Sequence, residues 1–259
     1  MTSHKLRTLL NLVLPLLQPV VGALAPVFGI GMTMGEMSAA SETPVTPAAY
    51  AFSIWGIIFA LAIAWGVWQA LPAGRESGAA RRLGWPLAGA FACTNLWILL
   101  AMLTGNGWHL VLVMLVLLCC VLLAFFIART EPRVGWADDW IIRPLVGLFA
   151  GWVSAATFAN IAGAALLSGA IMNNGLAGSL AAVLILLAAA GLALGVLWAA
   201  RGAPWYAAAF AWALLAIFYG NTVERGLNII VAAVSLVLAV LVVGIAWQRA
   251  RLEHRRLPA

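Results

Sequence analysis

The segment AAYAFSIWGIIFALAIAWGVWQALP, residues 48–72, carries no charge, yet it holds Trp55, Trp65 and Trp68 together with Tyr50, Phe52 and Phe59. A helix that crosses a bilayer needs about 20 mostly apolar residues, and this segment supplies them. Its apolar residues run continuously rather than alternating with polar ones, which excludes a barrel strand. Leucine would satisfy lipid with less bulk, so the rings need a reason. Tyr50 and Trp68 lie near the two ends, where a membrane helix carries an aromatic belt. Trp55 lies further inside, on one face with Phe59, Ala62 and Gly66, and these two rings are candidates to line a place where a flat apolar molecule sits.

The rest of the chain has the same character. It is 65% hydrophobic and 8% charged, too little charge to cover so much apolar surface in water. The fold class is therefore all-α, a polytopic membrane protein. Eight apolar runs can be placed, at about 10–31, 49–71, 85–104, 108–128, 141–168, 177–200, 204–221 and 227–247. The net charge of +6 comes from Arg residues spread over short loops and the tail. No basic arm exists, so nucleic acid is excluded as a partner. Cys93, Cys119 and Cys120 fall inside apolar runs and read as small packing residues.

Loop charges test the count of eight independently. Lys5 and Arg7 precede the first run, Arg75, Arg81 and Arg82 follow the second, and Arg129, Arg133 and Arg143 surround the link from the fourth to the fifth. Arg201 follows the sixth, and Arg249, Arg251, Arg255 and Arg256 close the chain. The intervening loops, 32–48, 105–107, 169–176 and 222–226, hold Arg225 as their one basic residue and are otherwise uncharged or acidic. The alternation fits eight helices with both termini in the cytoplasm, and the expected location is the bacterial inner (plasma) membrane. The start of the chain mimics a signal peptide, but its apolar stretch is about twice the usual length and contains Pro15, Pro19 and Pro26; it is read as a retained helix.

Polar residues in the middle of membrane helices mark helix contacts or sites. Asn95 lies in TNLW, residues 94–97, and Asn160 ends WVSAATFAN, residues 152–160. Trp152, Ala156 and Asn160 recur every four residues and stack on one helix face. Gly147, Gly151, Ala155, Ala159 and Gly163 form an adjacent stripe of small residues, which lets another backbone approach closely. On spacing alone, both asparagines could simply hydrogen-bond across helix interfaces. No zinc-protease motif, no Ser/His/Asp set, no intramembrane carboxylate and no phosphate-cradling glycine loop is present, so neither ordinary catalysis nor a carboxylate proton relay is expected.

Three segments together resemble the TspO/MBR family, the tryptophan-rich sensory proteins and mitochondrial translocator proteins. TPAAYAFSIWG, residues 46–56, resembles the entry to the family's second helix; TNLW resembles the segment around its third-helix Asn; WVSAATFAN resembles its fifth-helix Trp, Ala and Asn. The resemblance covers residues 10–168. It implies a five-helix bundle (1–168) enclosing a pocket for flat apolar ligands, porphyrins being the best-known class, with Tyr50, Trp55, Asn95, Trp97, Trp152, Ala156 and Asn160 in or beside it, and the helix-face reading adds Phe59. Residues 169–259 then add three transmembrane helices at the edge of the bundle and a basic cytoplasmic tail. No Tyr lies between Asn160 and residue 168, where the resemblance ends, so sterol binding is not carried over. The expected function is a membrane binding or sensory protein for a tetrapyrrole or similar ligand, and the alternative is a facilitative transporter of a small hydrophobic molecule. No cofactor is expected beyond a porphyrin as ligand. The expected partners are the lipid bilayer and that ligand, with a homodimer left open.

Overall fold

A computed structural model describes residues 3–131 and 135–254. Arg133, Arg255 and Arg256, counted above among the loop charges, lie outside the described residues. Eight helices there are long and apolar enough to cross a membrane: Ser3–Phe28, Ala49–Ala70, Gly78–Thr104, Trp108–Thr130, Asp138–Leu167, Gly175–Ala199, Pro204–Glu224 and Ile229–Leu252. They are called helices one to eight. No strand occurs among the described residues. The eighth span returns the chain to the side on which the first began, so both ends of the described chain lie at one end of the molecule.

Several boundaries depart from the apolar runs for local reasons. Helix one starts at Ser3, ahead of its apolar run, and Arg7 in that extra length is buried against helix three, its guanidinium donating to the Arg81 carbonyl at 3.1 Å. It stops at Phe28, where Gly29 and Gly31 take left-handed φ values of +66° and +76°. Helix three begins seven residues earlier than its apolar run, capped by the Ser77 hydroxyl, which accepts from the Ala80 N–H at 3.0 Å. Helix five enters through a π-turn at Asp138–Ile142 and helix seven leaves through another at Gly220–Glu224.

Helices one to five close a ring. Helix one packs against helices two and three, three against four, four against five, and five against two. Asn11 ties the first three together. It accepts from the Trp65 indole N–H at 2.9 Å and donates to the Gly84 carbonyl at 2.6 Å. Gly66 makes this approach feasible, since a Cβ there would lie 2.4 Å from the Asn11 carbonyl oxygen. Trp68, read from the sequence as an interfacial ring, is instead buried and lies against Trp65. Trp85, Trp108, Trp136, Trp140 and Trp205 are all exposed, as membrane-interface anchors should be.

Helix seven packs on helix five, helix eight on helix seven, and helix six on helices eight and five. The glycine stripe explains the first contact. A Cβ on Gly147 would meet the Trp205 Cβ at 2.5 Å, and one on Gly151 would meet the Tyr206 carbonyl oxygen at 2.3 Å. The Tyr206 hydroxyl donates to the Ser154 hydroxyl at 2.9 Å beside them. The stripe thus serves helix seven through Gly147 and Gly151, whereas Ala159 turns toward a cavity and Gly163 lies under the side chains of Asn106 and Ser41.

Candidate functional site

The cavity lies inside the ring, at the end away from the termini. Helices two, three and five each contribute an indole. Trp55 meets Trp97 with ring centroids 6.4 Å apart and nearly parallel planes, and it meets Trp152 edge-on at 6.3 Å. Phe59 backs Trp55 at 5.4 Å, and Phe52 meets Trp152 edge-on at 5.9 Å. Each such pair adds about 0.5–1.5 kcal/mol beyond burial, so the aromatic wall is rigid. Phe149 is fully buried, packs edge-on to Trp55 and stacks on Phe91, supporting Trp55 from the core.

One edge of the cavity is polar. The Trp97 indole N–H donates to the Asn160 Oδ1 at 3.2 Å, and the Asn160 amide donates to the Ala156 carbonyl one turn back at 2.9 Å. Ala156, Ala159 and Ala213 leave space between these groups. Trp152 also lines the cavity, is 1% exposed, and its indole N–H has no acceptor among the described residues.

The roof is the loop between helices one and two. A capping box starts its short helix, Met34–Ala40: the Glu36 N–H donates to the Thr33 hydroxyl, and the Glu36 carboxylate accepts from the Thr33 N–H at 2.7 Å. Met37, Ser38, Ser41, Thr46 and Pro47 face the cavity. The Asn106 amide, from the turn between helices three and four, holds the Ser41 hydroxyl at 3.1 Å. The cavity volume is about 50 Å³.

Helix seven and its π-turn fasten this roof. The Asn221 amide donates to the Pro44 carbonyl at 2.7 Å, and the Arg225 guanidinium donates to the Thr46 carbonyl at 2.7 Å while pairing with Glu42 at 3.2 Å. The Trp212 indole donates to the Ala51 carbonyl at 3.0 Å, and the Ala48 N–H donates to the Ala216 carbonyl at 3.2 Å.

Of the residues singled out from the sequence, Trp55, Trp97, Trp152, Ala156 and Asn160 line the cavity, and Phe59 supports Trp55 from behind. Asn95 does not reach it. Its amide donates to the Leu14 carbonyl at 3.0 Å, a contact between helices three and one. Tyr50 is half exposed and packs edge-on against Trp212 and Tyr219 of helix seven. The roof residues and the helix-seven fasteners were not among the sequence candidates. Their available signal was the lone Arg225 in loops otherwise free of positive charge.

A family model described as TSPO-like protein matches residues 8–247. The match runs past residue 168 and takes in helices six to eight as well. No curated protein and no solved structure matches the chain.

Proposed function

This chain belongs to the TSPO-like protein family, and from that premise we propose that it binds a flat apolar ligand, a tetrapyrrole as the first candidate, between the indoles of Trp55, Trp97 and Trp152. The observation that carries the reading is the convergence of three indoles from three helices on a cavity with one polar edge. Ring faces bind flat apolar molecules by stacking, and a few placed polar groups orient them. The buried Trp152 N–H is one such group. A buried donor without a partner costs about 1–3 kcal/mol, and an acceptor on the ligand's edge recovers that cost.

The volume sets a condition. Sites for drug-sized ligands enclose about 300–1,000 Å³, far more than the 50 Å³ present. The roof is the wall that is not a membrane-crossing helix, held by Met37, Val45 and Ala48 in the hydrophobic core and by the polar contacts to helix seven, and its movement is the step that admits the ligand. The ligand enters as residues 37–47 lift. That coupling between occupancy and roof position suits a sensory role.

Titrating a porphyrin into the purified protein while following tryptophan fluorescence tests the reading. Saturable one-to-one quenching, without flux across proteoliposomes, is expected. Saturable flux would shift the assignment to facilitative transport, and quenching that never saturates would remove the site.

A further inference from the structure

Helix one carries Gln18 between Pro15 and Pro19, near the middle of its span. The side chain is 1% exposed, yet neither its Nε2 nor its Oε1 has a partner among the described residues. Asn95 of helix three is 8% exposed, and its Oδ1 is likewise unpartnered. The two side chains meet at one level. The Asn95 amide donates to the Leu14 carbonyl at 3.0 Å, and Leu14 lies one turn before Gln18. Helical side chains lean back over the preceding turn, so the Gln18 amide lies over Leu14 and Pro15, where Asn95 is docked. Pro15 is itself buried, and Pro19 has no N–H to offer its carbonyl. This layer between helices one and three thus gathers three acceptors, the Gln18 Oε1, the Asn95 Oδ1 and the Pro15 carbonyl, against one free donor group, the Gln18 amide.

Direct bonds do not satisfy such a set. The Gln18 N–H groups can serve the Asn95 and Pro15 oxygens, but the Gln18 oxygen then still lacks a donor. The Asn95 amide is already spent on the Leu14 and Phe91 carbonyls, at 3.0 and 2.9 Å. The neighbouring layer at Asn11 shows the contrast. There the amide donates to the Arg7 and Gly84 carbonyls and the oxygen accepts from the Trp65 indole, so every group is paired. The Gln18 layer calls for a small guest that brings two donors and also accepts. A cation does not meet that need, since it would face an amide N–H, and helices one, two and three contain no Asp or Glu to balance its charge. Water meets it, and a buried water typically makes about three hydrogen bonds to groups of this kind.

We propose that Gln18, Asn95 and the Pro15 carbonyl form a binding site for an ordered water that bridges helices one and three at mid-membrane depth. Its two O–H groups donate to two of the three oxygens, and the Gln18 N–H donates to the third or to the water. X-ray radiolysis of the full chain in detergent tests this, because bound water yields hydroxyl radical where it sits and mass spectrometry reads the side chains oxidised. Phe91 lies one turn before Asn95, beside the site, and Phe210 of helix seven is equally buried. Phe91 should be oxidised at least fivefold faster than Phe210 in the wild-type protein, a comparison that needs no variant. In the Gln18→Leu, Asn95→Leu double variant the Phe91 rate should fall to that of Phe210. That variant should also melt higher than Gln18→Leu alone, which leaves the Asn95 oxygen stranded in an apolar layer. Equal oxidation of the two rings in the wild type overturns the site, as does an unchanged Phe91 rate in a folded double variant. Coupled melting temperatures without Phe91 oxidation also overturn it and assign a direct contact between the two amides.

Discussion

At the scale of single residues, the four-residue rhythm of Trp152, Ala156 and Asn160 was readable because a helix must place such positions on one face. The structure puts all three on the cavity. The rhythm of the glycine stripe was equally readable, but its partner was not, since spacing says that a backbone can approach and never which one. That partner is helix seven, and the contact is tight enough to predict from. Gly151→Ala forces a methyl against the Tyr206 carbonyl and the Ala209 side chain. Overpacking of this kind costs about 1–3 kcal/mol, so the variant should unfold at lower temperature, as thermal denaturation in detergent will show. Asn95 and Asn160 look alike in the sequence, each mid-helix and near a Trp. Only the packing separates them: the Asn95 amide is consumed by the Leu14 carbonyl, whereas Asn160 fixes the Trp97 ring at the cavity. Asn160→Ala leaves the Trp97 N–H without its acceptor, a loss of about 1–3 kcal/mol, and should weaken porphyrin binding while Asn95→Ala leaves it near wild type.

At the scale of elements, the roof and helix seven form one mechanical unit. The Arg225–Glu42 pair is half exposed, and such pairs contribute only about 0–1 kcal/mol. The bonds to the Pro44 and Thr46 carbonyls matter more, because they satisfy backbone groups of the roof itself. Asn221→Ala removes one of them, at about 1 kcal/mol, which is roughly a fivefold shift toward the open roof. Stopped-flow quenching should therefore show porphyrin associating several-fold faster in this variant. Acid should act on the same element. The Thr33 backbone N–H, and then its hydroxyl, hold the Glu36 carboxyl below the usual carboxylate range. Such a group supports the short helix fully above its ordinary titration range and loses that support as pH falls through the lowered value. Hydrogen exchange over residues 34–40 should accelerate on acidification, and Glu36→Gln should blunt the change. None of this was legible beforehand, because a loop of small and polar residues between two apolar runs has no period from which its fold can be derived.

At the scale of the whole molecule, the count of eight helices followed from the bilayer's thickness and from the alternation of arginine-bearing loops, both of which act on composition alone. The placement of helices six to eight did not follow, since apolar helices offer lipid-facing and protein-facing sides of the same character. The structure seats helix seven on helix five, with Ala213 in the cavity wall and the roof fastened to its end. A chain ending at Ser168 should accordingly lose both thermal stability and porphyrin quenching. Reporter fusions at residues 40 and 172 should report the outside, and fusions at 78 and the C-terminus the cytoplasm; a C-terminal fusion reporting the outside would reverse the assigned orientation. The cavity under the roof is the proposed seat of the flat ligand, and Ala156→Leu tests that most directly. The added side chain occupies the space between Trp152 and Asn160 that the ligand needs, and it enters a cavity instead of a packed contact. Porphyrin quenching measured on this variant should weaken at least tenfold while its Tm stays within a few degrees of wild type; a folded Ala156→Leu protein that binds porphyrin with wild-type affinity would contradict the account.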